Sequence, residues 1–221
     1  VYKRQSLPLD YAPRFVSHPF EQFLFQEGVQ NHRVFLRHIA LHCPPYNPKS
    51  TLMKAVHLQK FGKPEKAFAL VDIDKPKCPQ EGILVKVEGF GLNFADIMAR
   101  TGLYPDCPPL PAVLGYDVVG IIEEVGQGVK YLEVGQRVTA LTRFGGYAEY
   151  AVCDPRAVAV IDDMPIGKAM ALTTQYSTAW QCFYNSVCIG QGDKVLIHAA
   201  MGGVGSALVQ MALHELSLIH I

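Results

Sequence analysis

The chain has 221 residues and a formal net charge of zero, with 20 basic and 20 acidic side chains, which argues against a strongly charged nucleic-acid-binding surface. Hydrophobic residues make up 49% of it, enough for one or two cores, yet no apolar run approaches the ~18 residues needed to span a bilayer. The six cysteines, at 43, 78, 107, 153, 182 and 188, form no Cys-x-x-Cys pair, so reduced thiols in a cytoplasmic protein are the plain expectation and a metal cluster is not.

In chain order, the two ends look foreign. One encoding of Val1-Tyr2-Lys3-Arg4-Gln5 has a reverse complement that reads Leu-Ser-Leu-Ile-His, the residues at 216 to 220. The string resembles a transposon adapter, so 1–5 and 216–221 are read as library artefact and set aside. Residues 6–52 contain no methionine, carry histidines 18, 32, 38 and 42, and show no clear period. They lack the apolar core of a signal peptide and the Arg/Ser bias of a transit peptide. Upstream sequence translated in frame and a genuine, disordered extension both fit; no function is assigned to them.

From Met53, short strands separated by turn signals predict a β-rich domain over 53–174. Ile83 to Glu88 alternates as a strand. Phe94 to Arg100 is a short helix, with Asn93 as its cap and Gly102 to close it. Prolines 105, 108, 109 and 111 make a stiff loop. Val113 to Val125, Arg137 to Leu141, Tyr147 to Cys153 and Val158 to Ile161 read as further strands. Pro165 opens a helical stretch from Ile166 to Asn185.

Over 175–215 the pattern changes to a β-α unit. Val195-Leu196-Ile197 has the apolar character of a buried parallel strand, and a helix follows from Val204. Between them, Ala200, Gly202 and Gly205 hold the three glycine positions of the dinucleotide hexad, with alanine at the first. Such a turn brings backbone N–H groups, here of Gly203 and Val204 as well, to a pyrophosphate at the positive end of a helix. Taken alone, the hexad also fits an ordinary strand-to-helix turn; its place after an apolar run favours a dinucleotide site in a cleft between the two domains.

Gly91-Leu92-Asn93-Phe94-Ala95-Asp96, Arg100 to Pro105, the Pro-Pro-Leu-Pro run at 108 to 111, Val125 to Val129 and Ala200 to Gly205 together resemble the medium-chain dehydrogenase/reductase superfamily. Within it the pattern is similar to the zinc-independent quinone oxidoreductases, particularly the vesicle amine transport protein-like branch. The resemblance covers Met53 to Glu215. It implies an α+β GroES-like β domain at 53–174, then an α/β Rossmann domain truncated after its first β-α unit. It further implies NADPH-linked hydride reduction of small-molecule quinones or activated alkenes, and a homodimer at full length.

Zinc-dependent members of the superfamily carry Cys, Gly-His-Glu and Cys as ligands. At the matching places this chain has Asn93, Gly115-Tyr116-Asp117 and Thr174. Asn and Thr are poor zinc ligands, so no zinc is expected. By resemblance Tyr104, in a Gly-x-Tyr-Pro setting, is the candidate proton donor, and Asn93 faces the nicotinamide or the substrate carbonyl. Thr174 and Thr178 contact the nicotinamide, and Ala200, Gly202, Gly203, Val204 and Gly205 hold the pyrophosphate. Each has a plainer reading. Tyr104 packs at the cleft, Asn93 only caps a helix, and the threonines bond their own backbone. His198 is expected to be a buried, hydrogen-bonded core histidine, and Gln136 replaces the Asp usual in the family's Gly-Asp-Arg-Val turn.

The residue that separates NADPH from NADH falls about 20 positions past the glycine turn, beyond Glu215, so NADPH is implied by the family alone. The chain by itself is expected to bind NADPH weakly and to be inactive. The rival reading is an NADPH-binding interaction or regulatory protein with little turnover; membrane association has no support in the sequence.

Overall fold

A computed structural model describes residues 51–187, 189 and 193–216. The expectations for 1–50 and 217–221 lie outside the described residues.

The chain opens on β1 (Leu52–Leu58), and α1 (Pro64–Ala67) leads into β2 (Phe68–Asp74), which pairs antiparallel with β1 so that Val56 stands opposite Leu70. β4 (Ala112–Val113) takes the other edge of β1, giving a three-stranded sheet. β3 (Ile83–Phe90), β5 (Asp117–Val125), β6 (Arg137–Leu141), β7 (Tyr150–Cys153) and β8 (Val158–Val160) form a five-stranded sheet in the order β7-β3-β5-β6-β8, with every neighbour antiparallel.

β3 does not alternate as a half-exposed strand should: Ile83, Leu84 and Val85 are all buried. The strand lies between β7 and β5, and its two faces feed different cores. Ile83 and Val85 join Phe90, Val118, Ile122, Val138 and Tyr147, whereas Leu84 joins Met53, Ala55, Ala148 and Tyr150. Each large apolar side chain so buried contributes about 1.5–3 kcal/mol.

The strands expected between 113 and 161 are present with trimmed limits. Gly115 takes φ 100°, which splits the expected Val113–Val125 strand into β4 and β5. Ahead of β7 the chain meets β1 through an isolated bridge of Ala148 to Ala55, and the Lys54 N–H donates to Glu149 Oε2 at 2.7 Å beside it. The Gln136 side chain closes its own turn, its Oε1 accepting the Glu133 N–H at 3.0 Å.

α2 (Phe94–Arg100) begins after Asn93 as expected, and Gly102, with φ 76°, closes it through an N–H bond to Ala99 O at 3.1 Å. The helical run after Pro165 is not uniform. α3 (Ile166–Ala171) widens into a π-type turn at Leu172–Tyr176, resumes as α4 (Ser177–Trp180) and widens again at Gln181–Ser186. Ala169 and Met170 seat α3 on Val119 and Ile161, and the Thr139 and Thr173 hydroxyls hydrogen-bond each other across β6 and the first wide turn.

One expectation fails. Val195-Leu196-Ile197 forms no strand, Leu196 is 82% exposed, and His198 is exposed rather than buried. A strand needs a neighbour to complete its hydrogen-bond ladder, and among the described residues none pairs with this run. α5 (Gly203–Leu216) does form, and it buries Ala207 and Ala212. Val195 and Ile197 still pack beneath it with Phe183, Leu208 and Met211. No helix among the described residues is long and apolar enough to cross a membrane.

Candidate active site

The site is built where β3, α2, β5 and the first wide helical turn meet. Asn93 precedes α2 with extended backbone, φ −112° and ψ 156°, and its N–H donates to Asp96 Oδ2 at 2.9 Å. Asp96, on the first turn of the helix, thus satisfies a donor that the helix leaves orphaned. Its Oδ1 also accepts the Gly115 N–H at 3.3 Å, which ties α2 to the turn before β5.

Asn93 is therefore a helix cap residue, and it is also more than that. Its side-chain Nδ2 donates to Asp117 Oδ1 at 3.0 Å, across 24 residues of sequence. Asp117 is only 2% exposed and Asp96 only 5%. Room for the Asp117 carboxylate comes from Gly91, where a Cβ would overlap its Oδ1. The Thr174 hydroxyl lies beside the same carboxylate, close enough to favour its charged form yet short of a well-formed hydrogen bond. Asn93, Asp117 and Thr174, one residue from each of the three places compared with the zinc-dependent pattern, thus converge on one locus, whereas Tyr116, which stands where that pattern has His, packs against Tyr104 and Phe144.

Burial dominates the electrostatics. It pushes Asp96 up to about 6, against the pull of the Asn93 N–H, the Tyr147 hydroxyl and the Gly115 N–H, with the Asp117 charge adding to the rise. Asp117 is raised for the same first reason, opposed by Thr174, Asn93 and the Gly91 N–H. As donors for a metal, the trio offers an amide already bonded to its neighbour, one carboxylate and one hydroxyl. That set lacks the thiolates and imidazole that bind zinc well, so the residues present do not fit a catalytic zinc. Among the described residues no cluster of three or more His, Cys, Asp or Glu side chains stands together.

Tyr104 is half-buried against the first core, its ring edge-on to Tyr116 at 6.1 Å between centroids, and Tyr116 in turn packs on Phe144 at 5.3 Å. Burial, and then the facing Tyr104 hydroxyl, raise the Tyr116 phenol, which keeps it a neutral donor. Tyr104 therefore joins an aromatic wall with Tyr116 and Phe144, within reach of the Asp96 charge. Thr178 is placed differently: it is exposed and its hydroxyl donates to Thr174 O at 2.6 Å along its own helix.

The glycine-rich turn packs against the first wide turn of the same helical run, at Gln175. Ala199 takes φ 51°, the Gly202 N–H donates to Ala199 O at 2.9 Å, and α5 starts at Gly203. A Cβ at Gly205 would overlap the Ala199 carbonyl, so only glycine lets the helix leave the turn at this angle. A Cβ at Gly203 would press on the Gln175 side chain. The turn that carries Ala200, Gly202, Gly203, Val204 and Gly205 is thus set against the residue after Thr174.

Sequence reasoning missed Asp96, Asp117 and Tyr116 as site residues. The Gly115-Tyr116-Asp117 step was visible in the motif comparison, but the pairing of Asp117 with Asn93 depends on two strands meeting and left no local signal.

Comparison with known proteins places these features in context. Residues 79–163 match the alcohol dehydrogenase GroES-like domain family. The chain is 38% identical over 163 residues to the quinone oxidoreductase of Lama guanicoe, covering 73% of this chain and 49% of that protein. It superposes on the human synaptic vesicle membrane protein VAT-1 homolog-like protein with a TM-score of 0.71 at 32% identity, covering 75% of this chain and 53% of that one. On the Escherichia coli quinone oxidoreductase, solved in complex with NADPH, the TM-score is 0.67 at 30% identity, covering 73% and 50%. The chain spans about half the length of the curated relatives it matches.

Proposed function

Because the chain belongs to the quinone oxidoreductase family of the medium-chain dehydrogenase/reductases, through its alcohol dehydrogenase GroES-like domain, we propose that the complete protein is an NADPH-dependent, zinc-independent reductase of quinones or activated alkenes. The observation that supports this reading is the convergence of Asn93, Asp117 and Thr174 on one locus, with the glycine-rich turn set against the residue after Thr174 through Gly203 and Gln175. Residues 53–174 then form the catalytic domain and 175–215 the opening of the dinucleotide-binding domain.

Bound NADPH supplies a hydride from its nicotinamide ring to an electron-poor carbon or quinone. The chain's own residues do the rest. The turn from Ala200 to Gly205 receives the pyrophosphate, and Asn93 and Thr174 orient the nicotinamide end. The Tyr104–Tyr116–Phe144 wall takes the planar substrate. Tyr104 gives its phenolic proton to the oxygen that becomes negative as hydride arrives, and solvent restores it. No Lewis acid is needed, because the acceptor is already electron-poor.

A second reading, an NADPH-binding interaction or regulatory protein, draws on the likeness to a vesicle membrane protein. Incubating the complete protein with NADPH and either 9,10-phenanthrenequinone or a simple enone separates the two. Loss of NADPH absorbance that depends on the acceptor is expected, whereas binding without consumption would favour the second reading.

A further inference from the structure

A phenol accepts one hydrogen bond while it donates another, and a donor aimed at its oxygen steadies the phenolate that it becomes on losing its proton. Tyr104 and Tyr116 stand in that relation. Their backbones are pinned separately. The Leu103 N–H donates to Met98 O at 2.9 Å and the Cys107 N–H to Tyr104 O at 3.1 Å, while the Thr142 N–H donates to Tyr116 O at 2.8 Å. The Tyr116 ring is held between Phe144, 5.3 Å away between centroids, and the Tyr104 ring at 6.1 Å, with its hydroxyl facing that of Tyr104.

The surroundings set the direction of the bond. Burial, then the Tyr104 hydroxyl, and then the negative charges of Asp96 and Asp106 hold the proton on Tyr116. Each acid is engaged elsewhere: Asp96 accepts the Asn93 and Gly115 N–H groups, and Asp106 faces Arg143 at 3.7 Å. Tyr116 is thus the donor and the Tyr104 oxygen the acceptor, which leaves the Tyr104 O–H to donate to a ligand against the wall. Packing alone needs only the rings, so the paired hydroxyls are the feature that calls for a role.

We propose that Tyr116 is a positioning residue that donates to the Tyr104 oxygen and so stabilises the phenolate left when Tyr104 protonates the reduced acceptor. This rests on the reductase reading above. As hydride adds to the acceptor, the electron pair of the opened π bond moves to the acceptor oxygen. The Tyr104 O–H bond breaks while the new O–H bond forms, and the Tyr104 oxygen keeps the electron pair. The acceptor gains the two electrons that NADPH loses, Tyr116 keeps its own proton, and solvent returns one to Tyr104. The need for a proton is greatest where the reduced acceptor is most basic, so Tyr116 matters more for an enone, which passes through an enolate, than for a quinone.

The test uses the complete protein as wild type, Tyr116→Phe, Tyr104→Phe and the double variant. It measures kcat and KM with 9,10-phenanthrenequinone and with a simple enone, NADPH affinity by fluorescence titration, thermal midpoints, and the ring resonance of Tyr116 by NMR on protein with isotope-labelled tyrosine. Tyr116→Phe keeps the ring and is expected to lower kcat about tenfold with the enone and less with the quinone, while KM and NADPH affinity stay within about twofold. In the Tyr104→Phe background the same change is expected to add less than about twofold, because a residue that acts through Tyr104 has nothing left to act on. The Tyr116 resonance is expected to move in Tyr104→Phe, which removes the acceptor oxygen and leaves the ring; this measurement needs no change at Tyr116 and no turnover. A kcat of Tyr116→Phe within about twofold of wild type, an equal loss with and without the Tyr104 hydroxyl, or an unmoved resonance overturns the proposal. In a wild type that reduces an acceptor, any of these results removes the proposal alone. A wild type that reduces neither acceptor removes the reductase reading and the proposal with it.

Discussion

Asp96 is one of two carboxylates held out of water at the site. Burial raises it from the usual 3.8 to about 6, so between those values the folded chain holds a proton that the unfolded chain has released. Its contribution is therefore greatest below about pH 4 and is lost as pH rises through about 6, a gap worth about 3 kcal/mol. Asp96→Asn removes the charge and keeps one oxygen for the Asn93 N–H, while its NH2 meets the Gly115 N–H that the second carboxylate oxygen accepts, a cost that does not vary with pH. We expect its stability relative to the parent to rise by up to about 3 kcal/mol between pH 4 and pH 8; urea unfolding at the two pH values measures it, and a margin that does not change contradicts the assignment. Tyr104 carries a different expectation. Tyr104→Phe keeps the ring that packs edge-on to Tyr116 and removes only the proton, so kcat with a quinone should fall about 100-fold while NADPH affinity stays within about twofold. A loss confined to affinity would make Tyr104 a packing residue. At this scale the sequence was legible where chemistry is local: Asn93 as a cap, Gly102 as a stop, Gly205 in its turn. It was silent on the burial of Asp96 and on Asp117, whose partner Asn93 lies 24 residues away, which no local pattern encodes.

The elements follow the same division. Alternation located most strands to within a few residues, and Pro165 marked the helical run correctly. β3 escaped the alternating rule because both its faces are covered, and the wide turn at Leu172–Tyr176 has no periodic signal; it is held in place by the contact of Thr173 with Thr139 on another element. The apolar run 195–197 was misread for a related reason: strand character was present in the residues, but strand structure is a property of a pair. The glycine-rich turn, by contrast, is specified by its own sequence. Gly205→Ala sets a methyl group against the Ala199 carbonyl and must push the start of α5 away from the turn. In the complete protein this should weaken NADPH binding by about tenfold or more at a stability cost of about 1–3 kcal/mol, measured by titration and by thermal unfolding. Unchanged affinity would show that the pyrophosphate binds elsewhere.

At the scale of the whole molecule, two antiparallel sheets hold a buried amide–carboxylate pair in place, and a single helical run carries that site to the glycine-rich turn. In the reading proposed above, cofactor and substrate chemistry meet at that site, whose donor set is a poor match for zinc. The most direct measurement is the rate of NADPH oxidation with 9,10-phenanthrenequinone by the complete protein, before and after exhaustive chelation and with its metal content determined. The account predicts the same rate in both states at a zinc content far below one per chain. A rate abolished by chelation and restored by added zinc would contradict it.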